Sequence, residues 1–173
     1  MKRFLSIMLV ILSCLLLFSC GEKESVPEGM QKAKGDDASY SLYVPAGWTL
    51  ISEGGMNGAY YSTSDKSSVT VSSFFPEDEM YSIEDYWNAS KESYAETYKN
   101  FELLEENVSV VFGGKAAFKY VFSAEIDKVS YKFLQIVAVH GNMFYTFTYT
   151  STEDNYELHI EDAEKTISEF VFN

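Results

Sequence analysis

The fold is decided by residues 130–150, Ser-Tyr-Lys-Phe-Leu-Gln-Ile-Val-Ala-Val-His140-Gly141-Asn142-Met143-Phe-Tyr-Thr-Phe-Thr-Tyr-Thr150. Two runs rich in β-branched and aromatic residues flank Gly141-Asn142. A Gly-Asn pair between strand runs signals a tight hairpin, because both residues tolerate positive φ. In the second run Tyr145, Phe147 and Tyr149 recur at period two, which puts three rings on one face of a strand. Hairpin-joined strands are antiparallel, so a doubly wound parallel sheet is excluded.

Reading outward, Phe101–Val111 and Lys115–Ser123 are two further extended runs joined by Gly113-Gly114. Before them the period changes. Ile83, Tyr86, Trp87, Ser90, Tyr94, Tyr98 and Phe101 form one stripe at three-to-four spacing, which predicts a helix over 83–99. Ser82 is placed to cap it, with Asp85 three residues on and Glu84 in the first turn. Ser68–Phe75 reads as a strand. Trp48–Ile51 and Ala59–Ser62 read as short strands around Gly54-Gly55-Met56-Asn57-Gly58, and Tyr40–Val44 as a strand stopped by Pro45. Downstream, Tyr156, Ile160, Ala163, Ile167 and Phe170 stripe a final helix that starts near Ser151–Asp154. The class is α+β, an antiparallel sheet with two main helices.

The chain opens Met1-Lys2-Arg3 and continues as an almost unbroken apolar run to Phe18, then Ser19-Cys20-Gly21 and abruptly polar sequence. A charged start, a short apolar run and a small residue before the cut describe a secretory signal. The run is short of the roughly 20 apolar residues a spanning helix needs. Leu17, Ser19 and Cys20 fit a lipobox, with Phe18 bulkier than usual at its position, so lipidation of Cys20 and anchoring on the extracytoplasmic face of a cell membrane are expected. Ile11-Leu12-Ser13-Cys14 is a second candidate, but cleavage there would leave Leu-Leu-Leu-Phe where a water-soluble tether is needed.

Cys14 and Cys20 are the two cysteines of the chain. One leaves with the signal and the other is lipidated, so no thiol remains for a disulfide, a zinc site or a nucleophile. Loss of Lys2 and Arg3, with all 26 acidic residues retained, takes the formal charge from −13 to −15. Such a balance argues against nucleic acid, which rewards basic patches, and against lying flat on anionic lipid. Residues 21–38 are charged, contain Gly and Pro, and lack aromatics. The expected organisation is a signal peptide over 1–19, the lipidated cysteine and a flexible tether over 20–38, and one α+β domain over 39–173.

Tyr40-Ser-Leu-Tyr-Val-Pro-Ala-Gly-Trp48 resembles the opening of the PsbP-like family, which includes photosystem II extrinsic proteins and many bacterial lipoproteins. Ala59-Tyr60-Tyr61-Ser62, Val69-Thr-Val71, Gly113-Gly-Lys-Ala116, Tyr145-Thr-Phe-Thr-Tyr149 and Ile167-Ser-Glu-Phe170 match in the same order. The resemblance covers about 40–173. It implies helices packed on both faces of the antiparallel sheet, an αβα sandwich, and a protein that acts by binding or assembly. It carries over no catalytic set and no cofactor.

The residues that could carry chemistry are few. His140 and His159 are the two histidines, and neither belongs to a spaced ligand set. Exposed or turn-bonded histidines are expected. No G-x-S-x-G elbow occurs, and neither Gly-Gly pair opens a helix as a phosphate loop would. Glu77-Asp78-Glu79, Glu102 with Glu105-Glu106, and Glu153-Asp154 are acidic clusters that calcium could use, though none matches a known loop pattern. No catalytic residue and no metal ligand is assigned. Most aromatics must be core, yet Tyr and Trp favour interfaces, so an exposed Tyr–Trp groove is the best binding hypothesis, with Trp48, Tyr60 and Tyr145 as its candidates. The expected function is a membrane-tethered, non-catalytic binding or assembly module with a protein partner. A hydrolase acting on envelope material and a cation-binding module are the alternatives.

Overall fold

Alternation in residues 130–150 sets the architecture. The computed structural model describes residues 26–33, 39–54, 56–76 and 82–173. The expected signal and Cys20 lie outside the described residues, as do Glu77, Asp78 and Glu79. The elements in chain order are β1 (Met30–Lys32), β2 (Tyr40–Ser41), β3 (Tyr43–Pro45), β4 (Thr49–Glu53), β5 (Met56–Tyr60), β6 (Ser68–Phe74), α1 (Ile83–Thr97), β7 (Lys99–Phe112), β8 (Lys115–Ile126), β9 (Val129–His140), β10 (Met143–Thr152), α2 (Tyr156–Ser168) and β11 (Val171–Phe172).

Seven strands form one sheet in the order β4-β5-β6-β10-β9-β8-β7. Every pairing in it is antiparallel. Gly113 and Gly114 have φ of 55° and 76°, as their turn requires, and Gly141 has φ 60°. The β8–β9 turn is less visible in the sequence. Asp127 and Lys128 adopt φ of 51° and 68° there, a left-handed pair with no glycine to announce it.

Helix α1 starts where its cap places it. Ser82 Oγ accepts from the Asp85 backbone N–H at 3.0 Å, and Asp85 Oδ2 accepts from the Ser82 N–H at 3.0 Å, a reciprocal capping box. The helix ends at Thr97, two residues short of expectation. Tyr98 is already extended at φ −103°, ψ 144°, and Asn100 takes φ 50° at the register shift near the start of β7.

Successive residues of β9 divide between two cores. Phe133 and Val137 join Trp87, Tyr120, Phe122, Phe144 and the α1 stripe. Leu134 and Ile136 join Val69, Val71, Phe147, Tyr149 and the α2 residues Tyr156, Ile160, Ala163 and Ile167. Trp87 is fully buried and stacks on Tyr120 at 3.9 Å and 15°. Its Nε1 donates to Glu106 Oε1 at 2.9 Å, the same oxygen that Lys91 Nζ meets at 2.6 Å. Lys91 and then Trp87 hold the Glu106 carboxyl below its ordinary value.

Two short pairings lie outside the main sheet. Val171–Phe172 pairs with Tyr40–Ser41, tying one end of the domain to the other. Met30–Lys32 pairs with Tyr43–Pro45, although residues 20–38 read as a tether. The reason is local. Met30 and Ala33 are buried, and the Gln31 amide donates to the Pro45 and Trp48 carbonyls at 3.1 and 2.7 Å. Lys165 Nζ also donates to the Glu28 carbonyl at 2.7 Å.

Candidate functional site

The three aromatic candidates have different surroundings. Trp48 is 5 % exposed, packed edge-on against His159 at 5.7 Å and Tyr61 at 6.0 Å. Tyr145 is 3 % exposed, and its hydroxyl lies 2.8 Å from Ser39 Oγ. Both belong to the buried cluster that also holds Tyr156 and Ala163 of α2. Alternation at period two is the signature of a core-facing strand as much as of a groove, and packing decided for the core, through Tyr40 and Phe172 on Tyr145 and through His159 of α2 on Trp48. Tyr60 differs. Its neighbour Ala59 points into the α2 core, so Tyr60 faces the other way. There it lines a pocket of about 530 Å³ with Ile51, Ser62, Thr63, Lys66 and Ser68.

The sheet face around that pocket changes character from one side to the other. One row across the strands reads Ile51, Gly58, Thr70, Thr148, Gln135, Tyr120. The next reads Thr49, Tyr60, Ser68, Thr150, Phe133, Phe122. Over β8 and β9 the side chains are aromatic and packed beneath α1. Over β6 and β10 they are hydroxyls, opposed in register as Ser68 with Thr150, Thr70 with Thr148, and Ser72 with Thr146. Gln135 marks the border, its amide donating to Tyr94 Oη at 3.2 Å and Thr148 Oγ1 at 3.3 Å. Thr146 Oγ1 lies 3.1 Å from Tyr86 Oη. Ser68, Thr70, Ser72 and Thr150 make no side-chain hydrogen bond among the described residues, and all four are half-buried. Gly58 lets β5 press against β6: a Cβ there would sit 2.0 Å from the Val69 carbonyl oxygen.

The loop 61–67 forms one wall of the pocket, and its other side is braced to α2. Asp65 Oδ1 accepts from the Ser67 N–H at 2.9 Å and the Ser67 hydroxyl at 2.6 Å, and Asp65 Oδ2 lies 3.0 Å from His159 Nε2. With its proton engaged on Asp65, Ser67 Oγ receives the Ser151 hydroxyl at 2.7 Å. Burial pushes the Asp65 carboxyl upward, but the Ser67 hydroxyl and amide, then His159 and Asn155, outweigh it and hold the carboxyl below its ordinary value.

This brace corrects the expectation of exposed or turn-bonded histidines. His159 is 8 % exposed, enclosed by Trp48, Tyr61 and Asp65, with Asp162 Oδ2 3.7 Å from Nδ1. The sequence signal was available, since a position next to the apolar stripe of α2 is a half-buried one. A serine, a histidine and an aspartate do meet here, in the order serine–aspartate–histidine. A nucleophilic triad needs the imidazole between hydroxyl and carboxylate. Here the carboxylate is in the middle, and Ser67 is 1 % exposed. His140 sits apart, stacked on Phe172 at 4.6 Å and 11°. Among the acidic residues, Glu105 pairs with Lys119 at 2.7 Å and Glu106 with Lys91. Among the described residues no group of three metal-binding side chains converges.

No protein-family model matches the chain, and no curated protein matches it. Solved structures do. LpqN of Mycobacterium tuberculosis, described as involved in cell envelope biogenesis, is 13 % identical with a TM-score of 0.63, over 83 % of this chain and 91 % of that one. The cyanobacterial PsbP of Synechocystis is 15 % identical with a TM-score of 0.62, over 91 % and 99 %. The Ran-binding protein Mog1p of Saccharomyces cerevisiae is 10 % identical with a TM-score of 0.55, over 83 % and 96 %. The chain has a PsbP-like α+β fold.

Proposed function

Starting from that fold, we propose that the chain is a non-catalytic binding or assembly module, held at the extracytoplasmic face of a cell membrane by lipid on Cys20, with the sheet face over β5, β6 and β10 as its binding surface. The observation that carries this reading is the abrupt change on one sheet face. The aromatic layer beneath α1 gives way, in register, to hydroxyls, four of which have no side-chain partner among the described residues, beside a pocket that Tyr60 lines. We read the two helix-bearing cores as the outer layers of an αβα sandwich, with α1 covering the β8–β9 side of its face and reaching the Phe144 end of β10 and the Phe74 end of β6 through Tyr86. The envelope role described for LpqN and the Ran binding described for Mog1p support use of this fold for association without chemistry. The order of the Ser67–Asp65–His159 chain supports the same reading.

Two measurements test it. A photo-crosslinker at Tyr60 in cells should give discrete adducts, and one at Glu164, exposed on α2, should not. Equal adducts from both positions, or none from either, would sink the proposed surface. Cys20→Ala should move the protein from the membrane to the soluble fraction with its melting temperature unchanged. A variant that stayed membrane-bound would refute the anchor.

A further inference from the structure

We propose that the ligand of this face is a chain of neutral, hydroxyl-rich sugar units, as in an envelope glycan. The proposal deepens the binding-module reading and rests on it. Four hydroxyls, on Ser68, Thr70, Ser72 and Thr150, are half-buried, face the same side and have no protein partner among the described residues. Neighbouring strands lie about 4.8 Å apart and alternate residues about 6.8 Å apart along a strand, so the hydroxyls form a regular lattice. A hydroxyl donates one hydrogen bond and accepts two. The complementary ligand therefore offers donors and acceptors repeatedly along its length, as a sugar does, rather than one charged head.

Charge points the same way. The chain carries −13 overall, yet among the described residues the one charge lining the pocket is Lys66. A neutral polymer escapes the repulsion that an acidic protein imposes on polyanions. Apolar edges complete the match. Tyr60 borders the lattice at the pocket, and Phe74, 45 % exposed, borders it at the far end of β6. Aromatic faces at both ends suit the C–H faces of sugar rings.

The test uses the full lipidated chain in detergent micelles and a linear tetramer of β-1,4-linked N-acetylglucosamine as probe. Calorimetric titration should show saturable binding, with amide shifts concentrated in 60–72 and 146–150. Thr70→Val with Thr150→Val keeps the β-branched shape, deletes two unpartnered hydroxyls, and should weaken binding by about tenfold or more. Tyr60→Ala should weaken it independently, with far-UV circular dichroism unchanged in both variants. The absence of saturable shifts, shifts elsewhere on the domain, or affinity indifferent to both variants would overturn the proposal. So would a response of 62–66 to inorganic phosphate but not to the sugar. Discrete protein adducts from Tyr60 together with no sugar binding would overturn the ligand and leave the binding-module reading standing.

Discussion

Asp65→Ala tests whether the brace between loop 61–67 and α2 holds the pocket wall. The substitution removes one carboxylate and strands several donors, the Ser67 N–H, the Ser67 hydroxyl and His159 Nε2. A hydrogen bond to a charged group contributes about 1.5–3 kcal/mol. The Asp65 side chain keeps 16 % exposure, so water can replace part of what is lost, and a net cost of about 3 kcal/mol is expected. For a domain of this size that is a fall of roughly 10 °C in melting temperature. Asp65→Asn keeps a carbonyl acceptor for Ser67 but turns its NH2 toward His159 Nε2, so its stability should fall between those of wild type and Asp65→Ala. The pH dependence supplies an independent check. The folded carboxyl is held below its ordinary value, so the unfolded state binds more protons as the pH drops. Wild-type stability should therefore fall from about pH 4 downward, through the folded value. The asparagine variant should lack that share of the acid slope, and the gap between the two should narrow as the pH falls. Calorimetric melting between pH 7 and 2.5 reads both effects. A melting temperature for Asp65→Ala within 2 °C of wild type, about half a kcal/mol, or an unchanged acid slope in Asp65→Asn, would refute the idea that this carboxylate braces the loop.

Other expectations concern the two cores and the strand contact beneath the candidate site. Trp87→Ala should cost about 4 kcal/mol in chemical denaturation, because it empties a fully buried site stacked on Tyr120. Trp87→Phe keeps an aromatic ring but loses the donor to Glu106, and should cost about 2 kcal/mol; a phenylalanine variant as stable as wild type would show that the indole N–H contributes nothing. Gly58→Ala forces a methyl to 2.0 Å from the Val69 carbonyl, so amide exchange should quicken throughout β5 and its partner residues in β6. Retained protection in both strands would mean that this close approach is not needed. Ser82→Ala should lower stability by about 1 kcal/mol through loss of the α1 cap, while Ser82→Thr stays within a few tenths of a kcal/mol of wild type.

The local devices were legible because their causes are local. The capping box at Ser82 and Asp85, the Gly113-Gly114 turn and the single face shared by Tyr145, Phe147 and Tyr149 in β10 follow from backbone sterics and side-chain period, which a sequence displays directly. The candidate site was legible only in part. Tyr60, Trp48 and Tyr145 carried similar signals, and whether a ring on an alternating strand is core or surface depends on which neighbour covers it. His159 of α2 packs on Trp48, and Tyr40 and Phe172 pack on Tyr145, while Tyr60 faces the opposite side of the sheet and lines a pocket. Asp65 and His159 are 94 positions apart and share no spacing pattern, so no reading of the chain could join them.

By itself, the sequence determined an antiparallel α+β domain with two helices and the places where most of its turns fall, because period and turn chemistry act over a few residues. It also contained every hydroxyl of the β6 and β10 rows, without any sign that they matter together. Strand order and register alone set Ser68 opposite Thr150 and Thr70 opposite Thr148. Pairing between residues 78 and 82 positions apart in the chain is a property of the folded sheet, and the hydroxyl face exists only once that pairing has formed.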